Sequence, residues 1–167
     1  MQNNTIKSSM INGLIMGALF TVNFFITVPK NSILGLVSLS VTGIIIYLMY
    51  RMAIKFRDNE CEGTINYGKS LLYIILTFFF GGLIVSVVKF FYVQFIDKEF
   101  LDYLMQEQLK VIDGLKIPMD EEFYTQLEKM MTPIGYAAQT IWTNLIYGTI
   151  IGLILSFFVK KEKSIFE

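Results

Sequence analysis

Residues 130–159 read MMTPIGYAAQTIWTNLIYGTIIGLILSFFV, 30 positions between Lys129 and Lys160 without one charge. A helix that crosses a bilayer needs about 20 predominantly apolar residues, because each rises about 1.5 Å through a core about 30 Å thick. The run therefore predicts a transmembrane helix, placed at 134–159. Moving outward, the same test finds three more runs. Lys7 and Lys30 enclose 22 uncharged residues, Lys30 and Arg51 enclose 20, and only Lys89 interrupts the stretch from Lys69 to Asp97. These predict spans at 9–28, 32–50 and 70–95. Backbone amides in hydrocarbon must bond within their own segment, so all four spans are expected to be helices. The fold expected is an all-α membrane protein, one integral domain over residues 1–167, with four transmembrane helices.

Composition agrees. Apolar side chains make up 54% of the chain, the 12 glycines bring the share to about 61%, and charged residues reach only 17%. Soluble chains counted the same way hold roughly 45–50% apolar and about 25% charged residues. The net charge is zero, which gives nucleic acid nothing basic to bind. Histidine is absent, and with it the commonest general base and metal ligand. The single cysteine, Cys61, has no internal disulfide partner. Zincin, nucleophile-elbow, Walker A, C-x-x-C and EF-hand patterns are missing, and no Asp or Glu lies within a span. No catalytic residue, cofactor or metal site is expected, and coupled proton transport lacks its usual carboxylates.

The first run carries Lys7 ahead of it, and no small-residue cleavage site follows, so it is expected to be a retained signal anchor. Pro29 suits the end of that helix, and Lys30–Asn31 makes a tight turn into the second span. Counting Lys and Arg near span ends with the N-terminus inside gives eight inside (Lys7, Arg51, Lys55, Arg57, Lys69, Lys160, Lys161, Lys163) and five outside (Lys30, Lys98, Lys110, Lys116, Lys129). Positive residues stay on the cytoplasmic side, so both termini are expected to be cytoplasmic in a bacterial inner membrane.

Residues 97–132, between the third and fourth spans, hold nine acids and four lysines. At 100° per residue, Phe100, Leu101, Leu104, Met105, Leu109, Val111 and Ile112 share one half of a helical wheel, with Gln108 the polar residue inside that arc. The helix is expected to end near Gly114. After Pro118, Asp120 is the expected N-cap of a second helix, with Glu121 and Glu122 in its first turn and Phe123, Leu127, Met130 and Met131 as its apolar stripe. Together they predict an amphipathic helical hairpin inserted between transmembrane helices three and four. Its two apolar faces are expected to pack on each other, on the bundle end or on the lipid surface; the alternative is a docking site for a partner, with Met105, Met119, Met130 and Met131 as an adaptable surface.

Polar groups inside the spans are the candidate functional residues. Lys89 lies about two turns from Asp97, where its stem reaches the headgroups; a substrate-facing role is the alternative. Asn12, Asn23, Gln139 and Asn144 suit hydrogen bonds between helices or the lining of a path. Gly13–Gly17 (GLIMG) and Gly148–Gly152 (GTIIG) are G-x-x-x-G motifs of close helix approach. They allow contact between spans one and four, or a homo-oligomer.

A phrase in the second loop, Gly63–Thr64–Ile65–Asn66–Tyr67–Gly68–Lys69–Ser70, precedes a third span ending Tyr92–Val93–Gln94–Phe95–Ile96–Asp97. The acidic insert and a Thr132–Pro133 entry to the last span follow. Over nearly its whole length this pattern resembles the bacterial membrane family catalogued as domain of unknown function 4199, found mainly in Bacteroidetes; that family commonly has proline where this chain has Lys98. The resemblance implies architecture and envelope location, and no catalytic residue. The function expected is a non-enzymatic inner-membrane protein that works by contact with membrane or envelope proteins. The rival is a small transporter or channel component with Lys89 and the span amides lining a path.

Overall fold

The computed structural model describes residues 2–29, 31–115 and 120–161; Lys30, Lys116, Pro118, Met119 and Lys163, all used above, lie outside them. The order is α1 (Gln2–Thr27), α2 (Ser32–Glu60), α3 (Tyr67–Phe91), a π turn (Tyr92–Ile96), α4 (Phe100–Gly114), α5 (Glu121–Met130) and α6 (Pro133–Val159). No strand occurs among the described residues; one isolated pair, Ile65 with Lys161, exchanges two backbone hydrogen bonds of 2.8 and 2.9 Å. Among the described residues, four helices are long and apolar enough to cross a membrane. The fold is all-α, as the charge gaps implied.

Sequence chemistry sets the helix ends. Asn31 starts α2 by accepting from the Ile33 amide at 2.8 Å, and Asn66 starts α3 by accepting from the Lys69 amide at 2.8 Å. Thr132 caps α6, accepting from the Gly135 amide at 3.1 Å, and Pro133 follows at the first helical position, where no amide is needed. Gly135 itself is obligatory, because a Cβ there would run into the Lys129 carbonyl oxygen. Asp120 caps α5, accepting from the Phe123 amide at 2.9 Å, and α4 ends at Gly114.

Two helices carry features that the span assignment leaves open. α2 does not stop near Tyr50 but continues through Arg51, Lys55 and Arg57 to Glu60. Charge ends a hydrophobic span without ending a helix, whose amides bond internally in either medium. The third long helix widens at Tyr92, where the Asp97 amide bonds back to the Tyr92 carbonyl at 3.0 Å, five residues away. Such π turns carry an extra residue per turn and change which side chains share a face.

The chain forms two compact units, Met1–Val85 with Trp142–Glu167, and Ser86–Ile141. In the first, α1 runs parallel to α3 while α2 and α6 run the other way. Gly13 and Gly17 lie against Phe80 and Ile84, whereas Gly82 lies against Asn144, Phe78 against Gly148 and Ile74 against Gly152. The core gathers Met16, Met49, Phe56, Tyr73, Phe78 and Val159. The loop end is latched as well: the Arg57 guanidinium donates to the Val159 carbonyl at 3.2 Å, covering an acceptor at the α6 terminus that the helix leaves open.

The second unit holds the two amphipathic helices. Phe100, Leu101 and Leu127 are buried, while Val111, placed in the apolar arc by its wheel angle, is exposed, as is Met130. Gln108 is exposed too, so the arc that is covered is narrower than half the wheel. On the polar face Lys110 donates to Glu107 at 2.6 Å, and that carboxylate holds the lysine above its ordinary pKa.

Candidate functional site

The candidate site lies where α1, α2 and α3 meet, within the first unit. Tyr73 is fully buried, and its hydroxyl accepts from the Asn12 amide at 2.8 Å while reaching the Met52 carbonyl at 3.5 Å. The buried Ser9 hydroxyl donates to the Tyr73 carbonyl at 3.3 Å, and Thr77 donates to the same oxygen at 2.8 Å. One tyrosine thus ties three helices together through polar atoms that would otherwise be stranded in an apolar layer. Phe56 lies flat on the Tyr73 ring, centroids 4.1 Å apart and planes 2° from parallel. The Lys69 ammonium stands 5.8 Å from the Phe56 centroid.

Beside this cluster is a cavity of about 110 Å³. Ser8 and Asn12 of α1 line it, with Lys55, Phe56, Asn59 and Glu60 of α2; the Met52 position completes the wall. Its charged members belong to the extension of α2 beyond the expected span. Asn12 sits inside the uncharged run of α1, so the cavity passes from charged surface to apolar layer. Seen chemically, it offers one cation, one anion, two amides and a hydroxyl around a fixed aromatic floor. Among the described residues no group of three or more Cys, Asp and Glu side chains is placed to hold a metal.

The other sequence candidates fall in several places. Asn23 donates to the Thr42 hydroxyl at 3.3 Å, joining α1 to α2, while its own carbonyl oxygen is buried without a hydrogen bond. Asn144 packs against Gly82, and Gln139 is half-buried in the second unit. Lys89, also half-buried, holds its ammonium 5.0 Å from the Tyr136 centroid, a cation–π distance. Tyr136 in turn meets Phe100, whose edge meets Tyr92, and Tyr92 donates to the Asp97 carboxylate at 3.3 Å. Of the polar candidates, only Asn12 reaches the cavity.

Both glycine motifs face α3 rather than each other. A Cβ at Gly13 would stand 2.5 Å from the Phe80 Cβ, and one at Gly148 would stand 2.5 Å from the Phe78 Cβ. Gly17 is closed by Ile84, and Gly152 by Leu71 and Ile74. α3 contributes its own pair, Gly81 toward α1 and Gly82 toward α6. Adjacent residues on a helix point about 100° apart, so one dipeptide serves two neighbours. The motif search misses that pair because its spacing is not four.

Sequence reasoning also missed Tyr73, Phe56 and Arg57 as position-setting residues. Tyr73 carried one usable signal: a phenol well inside an apolar run needs a partner for its hydroxyl. The phrase 63–70 now has a physical account. Gly63 takes φ +76 in the turn after Glu62 at +54, Ile65 pairs with Lys161, and Asn66 caps α3. Tyr67 donates to the Leu153 carbonyl at 3.0 Å and packs on Phe157. These contacts fix the start of α3 against the end of α6.

No curated protein and no solved structure matches the chain. Residues 7–161 match the family described as Protein of unknown function (DUF4199), a stretch that takes in all four long helices except the first turns of α1. With the loop phrase, the π turn at Tyr92–Ile96 and the Thr132–Pro133 entry all inside the match, the chain belongs to that family.

Proposed function

We propose that the protein is a non-enzymatic, multi-pass protein of a bacterial inner membrane that acts by contact with membrane or envelope partners. Its termini face the cytoplasm and its α4–α5 segment faces outward. The observation that carries this reading is that large apolar side chains of that segment remain exposed. Val111 on α4, with Tyr124 and Met130 on α5, is exposed although Leu101 and Leu127 on the same helices are buried. Large apolar side chains in water cost about 1.5–3 kcal/mol each against burial, so a covering surface is favoured. The span amides support the same reading, since Asn12 and Asn23 use a donor each to join neighbouring helices.

Photocrosslinkers placed at Val111 and Tyr124 in native membranes test the proposal. A discrete protein adduct at both positions is expected, and adducts to lipid alone would refute it. Topology reporters at Glu60 and Gly114 should report cytoplasm and exterior respectively. A cytoplasmic signal at Gly114 would overturn the orientation.

A further inference from the structure

We propose that the cavity between α1 and the end of α2 binds a small zwitterion carrying a phosphate and a primary ammonium. This is the chemistry of phosphoethanolamine, free or as a lipid headgroup. Its lining holds one residue of each sign, Lys55 and Glu60. They are five residues apart on one helix, about 7.5 Å along the axis, and they make no ion pair with each other. They also stand about 140° apart around the helix, so they flank the cavity from two sides, one placed for a phosphate and the other for an amine two carbons away. A purely anionic group would meet Glu60, and a purely cationic one would meet Lys55.

The neutral groups fit the same occupant. An amide side chain has two donors and one acceptor; Asn12 uses one donor on Tyr73, which fixes its orientation and leaves the rest for the cavity it lines. Asn59 and Ser8 supply further donors and acceptors to phosphate and ammonium. Phe56 floors the cavity beside the two carbons. One face of its ring is taken by Tyr73 and the Lys69 ammonium stands near the ring, so it does not offer the open aromatic cage that a quaternary ammonium prefers. The volume, about 110 Å³, suits a headgroup and falls well below the roughly 300 Å³ of sites for larger ligands. Depth agrees: from Met52 to Glu60 the wall covers about 12 Å of α2, enough to cross the headgroup layer into the first turns of hydrocarbon.

The site stands whatever partner the α4–α5 segment contacts. Its test uses the full-length protein in a neutral detergent, offered equal amounts of phosphatidylethanolamine, phosphatidylglycerol and phosphatidylcholine and read by native mass spectrometry. Phosphatidylethanolamine should be retained about tenfold over the other two, the effect of one charge-assisted hydrogen bond. Glu60→Gln should erase the preference over phosphatidylglycerol, and Lys55→Gln should weaken retention of both. Both positions are exposed at a helix end, and unchanged melting temperatures would show that the variants fold. Phosphoethanolamine at millimolar concentration separates the sources. If it displaces the lipid and raises the melting temperature alone, the ligand is soluble; if it does neither while the selectivity holds, the ligand is the lipid. Equal retention of all three lipids with no response to phosphoethanolamine overturns the proposal, as does a preference that survives Glu60→Gln.

Discussion

A single methyl group at Gly13 should loosen the bundle. An alanine Cβ there would stand 2.5 Å from the Phe80 Cβ and 3.3 Å from the Gly81 amide nitrogen. Carbon atoms attract best at about 3.5–4.0 Å, so α1 and α3 must separate by about 1–1.5 Å. Neither clash falls on the far end of a flexible side chain: a Cβ and a backbone nitrogen move only with their helix. Overpacking of this kind costs about 1–3 kcal/mol, set against the gain of up to about 1 kcal/mol that alanine brings over glycine in a helix. With the full helix gain counted, the net expectation for Gly13→Ala is a loss of up to about 2 kcal/mol. Gly148→Ala meets the Phe78 Cβ at the same 2.5 Å and should behave alike. Gly43→Ala on α2 is the internal control: nothing lies within 4 Å of its Cβ position, so only the helix gain remains. Reversible unfolding of the purified protein in mixed micelles measures all three. A Gly13→Ala protein as stable as Gly43→Ala would refute the claim that α1 and α3 meet at this glycine.

Three further outcomes are expected. Tyr73→Phe should cost about 0.5–2 kcal/mol and Asn12→Ala a similar amount, while the double variant should cost much less than their sum, read by the same unfolding assay in a double-mutant cycle. Lys89→Arg should keep wild-type abundance, since guanidinium also stacks on tyrosine, whereas Lys89→Glu should lower it; quantitative blotting of membranes checks both. On α4, Leu101→Ala should destabilise by about 2–5 kcal/mol because Leu101 is 5% exposed, and Val111→Ala by under about 0.5 kcal/mol because Val111 is 62% exposed. Equal effects at the two positions would show that the face of α4 is misassigned.

The four long helices were legible because charge is costly in hydrocarbon, and gaps between charges therefore mark the spans. The start of α5 was legible from Asp120, whose capping chemistry is local, whereas Thr132–Pro133 entered only through the family pattern and its cap on α6 emerged with the structure. What escaped was non-local or invisible to hydrophobicity. The extension of α2 to Glu60 lies past the charge that ends the span, so the charge gaps say nothing of it, yet it supplies most of the cavity wall. The π turn at Tyr92 has no compositional mark; within it Tyr92 meets Asp97 and Phe100, residues that follow later in the chain. The pairing of Asn12 with Tyr73 joins residues 61 positions apart, and a wheel drawn on one helix holds no information about the other. Glycine spacing named the residues that permit close approach, but a motif states closeness and not with what. In the folded chain α3 is the neighbour of both motifs.

That assignment bears on where function is to be sought. α3 is the most buried of the four long helices, gripped by α1 on one side and α6 on the other through contacts with no slack. A path for a solute along α3 would require those glycine contacts to open, which close packing resists. The polar part of this unit is instead at the end that holds the loop phrase. There Asn66 sets the first turn of α3, which places Lys69 and Tyr73 one turn apart on the same face. Both meet Phe56, Tyr73 flat against the ring and Lys69 near it. Phe56 is the floor of the cavity, and Tyr73 also orients the Asn12 amide in its wall. Residues at the loop end of α3 therefore position the cavity without lining it. Altering Asn66 should disturb ligand retention through the α3 start while leaving Lys55 and Glu60 untouched.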